Sequence, residues 1–176
     1  MFKVSRLIDV HLNSQFQIPL RKLLSEAFED DFSDEDWQHT YGGVRFLGHF
    51  DGHLISHGAV VPRKMQVDGA SMLVGYVEGI AVSPGFQRKG FGSLLMEEIT
   101  SYCKSDFRLS MLSTDEKVFY ERQNWLDFQG NSYVLKDGVE IRSEDEDEGL
   151  MYLLGLHQFT DYPRKVVCEA RVGDAW

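Results

Sequence analysis

Residues 74–92 read V-G-Y-V-E-G-I-A-V-S-P-G-F-Q-R-K-G-F-G. The first half is an apolar strand with one carboxylate, Glu78, inside it. Ser83-Pro84-Gly85 turns the chain, and Gln87-Arg88-Lys89-Gly90-Phe91-Gly92 follows. Phe91, Leu94, Leu95, Ile99 and Tyr102 then recur at helical spacing. The stretch is a strand, a basic glycine-punctuated loop and a helix N-terminus. The first turn of a helix leaves backbone N–H groups without partners, and the helix dipole adds partial positive charge there. Gly90 and Gly92 allow close approach of backbone to a ligand. Arg88 and Lys89 add formal charge. This arrangement suits a phosphate, and a pyrophosphate best.

Two familiar phosphate loops do not fit. The Walker pattern requires a longer loop ending in Gly-Lys-Ser/Thr, and the dinucleotide pattern requires a third glycine. Working outward, Val44–Phe50 and Leu54–Val61 are strands joined by Asp51-Gly52, a hairpin signal. Asp68-Gly69 and Lys136-Asp137-Gly138 mark further turns. Upstream, Val4–Leu7 begins a strand, and Gln15–Phe28 is a helix with Pro19 expected in its first turn. Ser33 caps a short helix with Asp36 at its third position, ended by Gly42-Gly43. Asp30, Asp31, Asp34, Glu35 and Asp36 make this region strongly acidic.

Downstream, Arg108–Ser113 is a strand. A helix over Asp115–Gln123 is expected, capped by Ser113 or Thr114 and stopped at Asn124. Leu126–Leu135, Met151–Leu156 and Lys165–Arg171 are the remaining strands, and Glu144–Glu148 is expected to be an exposed charged loop. No internal repeat or second domain is evident, so residues 1–176 are expected to form a single domain. Periodicity alone gives α/β or α+β.

Composition narrows the classes. The chain has 176 residues, 43% of them hydrophobic, enough for a sizeable core. Its formal net charge of −10 disfavours nucleic acid and permits a cationic small substrate, though an ordinary acidic protein would carry the same charge. No apolar run approaches a membrane span. The start M-F-K-V-S-R-L-I-D is too polar for a secretory leader, so a cytoplasmic location is expected. Cys103 and Cys168 have no metal-site spacing and are expected to be reduced. Neither do His11, His39, His49, His53, His57 and His157 have metal-ligand spacing, and no metal is expected.

The hexapeptide Q-R-K-G-F-G, preceded by V-E-G-I-A-V and followed by an amphipathic helix, resembles the pyrophosphate loop of the GCN5-related N-acetyltransferases. D-F-S-D-E-D-W-Q-H-T-Y-G-G at 31–43, G-Y-V-E-G-I-A-V at 75–82 and R-V-G-D-A-W at 171–176 narrow the resemblance to aminoglycoside 2′-N-acetyltransferases. The resemblance implies an α/β (α+β) acetyltransferase fold, a mixed, mostly antiparallel sheet with helices on both faces. It implies acetyl-CoA as cosubstrate and direct transfer to the drug's 2′-amine in a ternary complex. Such enzymes confer antibiotic resistance and are commonly homodimers.

Residue by residue, the resemblance implies Glu78 as a base acting through water, with the terminal carboxylate on Trp176. Tyr120 is the general acid near the sulfur. The Ile80 backbone is the oxyanion donor, and Ile80, Ala81 and Val82 line the pantetheine. Gln87, Arg88, Lys89, Gly90, Phe91 and Gly92 hold the pyrophosphate. Asp31, Asp36, Glu78, Gly79, Ser113, Asp174 and Trp176 face the aminoglycoside, with Asp147 or Glu148 adding a contact. Physical chemistry asks for the same parts. An amine must lose a proton, a thioester oxygen must be stabilised as it gains charge, and a thiolate must be protonated. Gly79 is expected to mark a bulge that frees nearby amides. Two other readings stay open: an acetyltransferase acting on another amine or amino sugar, and a binding module that holds acetyl-CoA without turnover. Glu78, Tyr120 and Trp176 together argue against the second.

Overall fold

The structure, a computed structural model, describes residues 1–9, 12–156 and 162–176. The chain divides into two compact units, Met1–Val61 with Val77–Ser101 and Pro62–Tyr76 with Tyr102–Trp176.

In the first unit, β1 (Phe2–Ile8) lies antiparallel to β2 (Val44–Phe50) in a register from Phe2↔Phe50 to Ile8↔Val44. β2 lies antiparallel to the start of β3 (His53–Val67), with an irregularity at Gly48/His49. The hairpin turn has Asp51 and Gly52 both at positive φ (48° and 84°), as a two-residue primed turn requires. Helix α1 (Ser14–Ala27) packs Leu20, Leu23 and Leu24 with Trp37, Leu47 and Ala81.

Asn13 caps α1 by accepting the Gln15 N–H at 3.0 Å, so the helix starts at Ser14, one residue before the expected Gln15. Pro19 is therefore the sixth helical residue, not part of the first turn as expected. An interior proline costs about 3 kcal/mol. Burying three leucines returns about 2 kcal/mol each, which is why the helix persists. Helix α2 (Asp34–His39) carries the expected capping box: Asp36 N–H donates to Ser33 Oγ, and Ser33 N–H donates to Asp36 Oδ2.

The second unit holds the remaining halves of β3 and of β4 (Ala70–Val82), joined at Asp68-Gly69 (φ 50° and 83°). β4 is parallel to β5 (Leu109–Ser113) at Gly75↔Ser110 and Tyr76↔Met111. β9 (Leu150–Leu154) is antiparallel to β5 and to β6 (Leu126–Asp127). β10 (Lys165–Glu169) is antiparallel to β3 and parallel to β7 (Asn131–Lys136), which pairs with β8 (Val139–Arg142). Met65, Val74, Tyr76, Leu109, Met111, Leu150, Tyr152, Val166 and Trp176 are among the residues that fill the core of this unit. The pairing is mixed and mostly antiparallel, an α+β fold as the sequence implies.

Helix α3 (Phe91–Asp106) follows the basic loop. Helix α4 spans only Lys117–Glu121, shorter than expected, and begins after Glu116. Thr114 does not cap it; its Oγ1 accepts the Glu116 N–H at 2.9 Å, closing a turn ahead of the helix. Asn124 stops the segment in the left-handed region (φ 65°). The acidic run is not a loop: Glu144–Asp147 forms a helical turn, α5.

Candidate functional site

In the first unit, the loop between β4 and α3 is built from backbone. A 3₁₀ turn, Pro84–Phe86, follows β4. Ser83 N–H donates to the Ile55 carbonyl at 2.8 Å and fixes where the loop leaves the sheet. Arg88 and Gly90 both have positive φ (59° and 85°). Leu94 N–H donates to the Gly90 carbonyl at 3.1 Å, which makes Gly90 the cap of α3. The N–H groups of Phe91, Gly92 and Ser93 therefore fall in the first turn, where a helix supplies no acceptor. A side chain on Gly90 would meet nothing within 4 Å, so the space beside that cap is open. This geometry fits a pyrophosphate.

The loop's own side chains stiffen it. Gln87 Nε2 donates to the Val82 carbonyl at 3.1 Å. Lys89 Nζ donates to the Gly85 carbonyl at 2.8 Å and lies over the Phe86 ring. Phe91 packs against Phe2 and Phe50, each at 5.1 Å between ring centroids, and anchors the start of α3.

Glu78 and Ile80 are half-buried on β4, with Ala81 buried and Val82 half-buried beyond them. Gly79 sits between them in the left-handed region, φ 58°. Its carbonyl accepts from His57 Nδ1 at 2.8 Å. His57 is fully buried, and burial first, then the Arg45 charge, push its pKa down to about 3. The ring is therefore neutral, with Nδ1 protonated and Nε2 accepting from Arg45 Nη1 at 3.1 Å. Arg45 is itself fully buried, paired through Nε with Asp9 at 2.6 Å and lying over the Trp37 and Tyr41 rings. Asp9 also accepts the N–H groups of Gly42 and Gly43. In the sequence His57 is only a histidine without metal spacing, and Arg45 and Asp9 belong to no motif. The available signal was a cation and an imidazole within the mostly apolar runs 44–48 and 54–61.

Asp31 is exposed and follows two residues at positive φ, Glu29 and Asp30. Asp36 is half-buried and commits Oδ2 to the cap of α2.

In the second unit, Ser113 and Glu148 line one cleft of about 570 Å³. Its walls carry Asp115, Glu116, Asp145, Glu146 and Glu148 against one cation, Lys117, whose ammonium is paired with Asp127. Burial first, then the charges of Asp174 and Asp145, hold the Glu146 carboxyl above its ordinary range. Like charges crowd here, and a cationic ligand would relieve them. A Cβ at Gly149 would stand 2.9 Å from Ser113 Oγ, so a side chain there would push that hydroxyl aside.

Asp147 does not line the cleft. It accepts from Ser132 N–H at 2.9 Å and Ser132 Oγ at 2.6 Å, and it pairs with Arg142. Burial works against ionisation, but these donors outweigh it and hold the carboxyl below its ordinary range.

Tyr120 is buried. Burial pushes its pKa up to about 12, partly offset by a hydrogen bond with Thr114 in the cleft wall. The phenol is thus protonated at neutral pH. Trp176 is buried with its indole N–H on Ser143 Oγ at 3.0 Å, and its backbone N–H donates to Asp174 Oδ1 at 3.0 Å.

Among the described residues no group of three or more His, Cys, Asp or Glu side chains could hold a metal ion, and no helix is long and apolar enough to cross a membrane. His11 and His157 lie outside the described residues.

Comparison with known proteins matches these features. The family model of the acetyltransferase (GNAT) domain matches residues 14–126, which contain the loop and α3. An aminoglycoside 2′-N-acetyltransferase from Mycolicibacterium fortuitum is 33% identical over 161 residues, covering 89% of this chain and 83% of that protein. Among solved structures, a GNAT family N-acetyltransferase (YhbS) from Escherichia coli, in complex with CoA, superimposes with a TM-score of 0.69. It is 14% identical, and the match covers 95% of this chain and 89% of that one. A GCN5-related N-acetyltransferase from Anabaena variabilis matches with a TM-score of 0.61 at 15% identity over 74% of this chain. The chain spans only 33% of that longer protein. With the loop, the capped helix and these kinships in hand, the chain belongs to the GCN5-related N-acetyltransferase family, as an acetyl-transferring enzyme related in sequence to the aminoglycoside 2′-N-acetyltransferases.

Proposed function

We propose that the enzyme transfers the acetyl group of acetyl-CoA to the 2′-amine of aminoglycosides of the gentamicin and tobramycin class, and so confers resistance to them. The observation that carries this reading is the 33% identity to the M. fortuitum enzyme, sustained over 89% of the chain. The carboxylate-lined cleft at Ser113 and Glu148 adds support, because an aminoglycoside is a polycation.

In this reading the first turn of α3, with Arg88, Lys89 and Gly90, holds the pyrophosphate. Acetyl-CoA supplies an activated acetyl thioester. The amine arrives as an ammonium ion. Glu78 takes one proton through a held water and passes it to solvent. The nitrogen bonds to the acetyl carbon as the carbon–sulfur bond breaks. The Ile80 N–H stabilises the acetyl oxygen as it gains charge. Tyr120 gives its proton to the departing sulfur and regains one from the nitrogen. The products are an N-acetyl amide, a free thiol and one proton. Asp31, Asp36, Ser113, Glu148, Asp174 and Trp176 are the proposed contacts to the drug. Asp147 is left out because Arg142 and Ser132 already occupy it. The enzyme works in the cytoplasm, where acetyl-CoA is made, as a homodimer.

The test is acceptor-dependent thiol release from acetyl-CoA. Tobramycin, which carries a 2′-amine, should release thiol rapidly. Kanamycin A, with a hydroxyl there, should release it much more slowly. Equal rates contradict the regiochemistry. A second arm is E78Q, expected to lower kcat by about 10²-fold or more.

A further inference from the structure

We propose that Asp9, Arg45 and His57 form a buried positioning relay that fixes the Gly79–Ile80 peptide and thereby aims the Ile80 N–H. The inference rests on the acetyl-transfer reading, in which that N–H faces the acetyl oxygen.

The geometry follows from peptide planarity. In a trans peptide the carbonyl oxygen of one residue and the N–H of the next point in opposite directions. Whatever pins the Gly79 oxygen therefore sets the direction of the Ile80 N–H. His57 Nδ1 pins it at 2.8 Å. Gly79 is left-handed there, so its peptide is turned out of a regular ladder. Left alone, such a turn would have several rotations available.

His57 can hold it only if its proton sits on Nδ1. A neutral imidazole places its proton according to what the other nitrogen meets. Arg45 Nη1, a donor that cannot accept, stands 3.1 Å from Nε2 and forces Nε2 to be the acceptor. Arg45 in turn is oriented by Asp9 at 2.6 Å and by the Trp37 and Tyr41 rings, each 4.8 Å from the guanidinium carbon. Asp9 is held by Gly42 and Gly43 N–H groups at 2.6 and 3.2 Å. Arg45 donates on both sides, to Asp9 and to His57, and His57 donates onward to the Gly79 carbonyl. A cation this deep is costly to keep. A purely structural strand pair would be served as well by apolar residues. The relay's distinctive output is the orientation of one peptide.

The test compares two substitutions that each keep one of the two His57 bonds. An asparagine at this place can donate to Gly79 from the position of Nδ1. A glutamine can accept from Arg45 at the position of Nε2. H57Q should lower kcat for tobramycin acetylation by about tenfold or more, with KM for acetyl-CoA unchanged within about threefold. H57N should keep kcat within about threefold of wild type, even if its melting temperature falls. Equal losses in both, or no kcat loss in a folded H57Q, overturn the proposal. Imidazole nitrogen NMR on the wild-type protein stands apart from activity and from variant folding. Nδ1 should carry the proton and Nε2 should be bare from pH 6 to 8. A proton on Nε2 overturns the relay. Wild-type protein that never releases thiol with any 2′-amino drug would refute the acceptor assignment instead, and the NMR result would still decide the relay.

Discussion

At the scale of single residues, His57 links chemistry to stability. Its pKa of about 3 lies below the ordinary 6.5, so the folded protein binds fewer protons than the unfolded chain between these values. Stability is then fully present above about pH 6.5 and is lost as pH falls toward 3, at up to roughly 1.4 kcal/mol per pH unit. We expect the urea midpoint of the wild-type protein to fall across this window and that of H57Q to fall less steeply. Parallel slopes would mean that His57 is protonated in the folded state. V-E-G-I-A-V pointed to irregular backbone at Gly79, where φ is 58°. The relay behind it was not legible, because Asp9, Arg45 and His57 are separated along the chain and meet only through strand register. Phe46↔Gly58, flanked by Arg45↔Ala59 and Leu47↔His57, sets that meeting.

At the scale of elements, turns carried the clearest signal. Asp51-Gly52, Asp68-Gly69 and Asp137-Gly138 all adopt two successive positive φ values. The preference is local, so sequence suffices to place them. The capping box of α2 was legible for the same reason, since Ser33 and Asp36 lie three residues apart. Short elements were not. β8 has four residues and α5 has four, too few to show a period. What makes α5 a helix is tertiary, the Arg142–Asp147–Ser132 cluster. The cluster also separates two carboxylates that sequence left equivalent. D147N should cost about 1–3 kcal/mol of stability, read from the urea midpoint. E148A should leave the midpoint nearly unchanged and raise KM for tobramycin by about threefold or more, read from initial rates. The reverse pattern would exchange their roles.

At the scale of the whole molecule, the fold class and family were legible because the Q-R-K-G-F-G loop and its strand and helix are continuous in sequence. The cleft proposed for the acceptor was less so, because Ser113 and Glu148 are brought to it by β5 and by the chain around Gly149. The acidic lining of this cleft suits the polycationic drug proposed above, and the net charge of −10 permits it. Both cysteines are buried, and burial chiefly pushes the Cys103 thiol up to about 12, so thiol assays should see coenzyme and not protein. Transfer to one nitrogen is read most directly by NMR of the tobramycin product after complete turnover with acetyl-CoA. A single monoacetylated species with the amide at the 2′ nitrogen is expected; acetylation at any other amine, or a mixture of positions, would contradict transfer to that nitrogen.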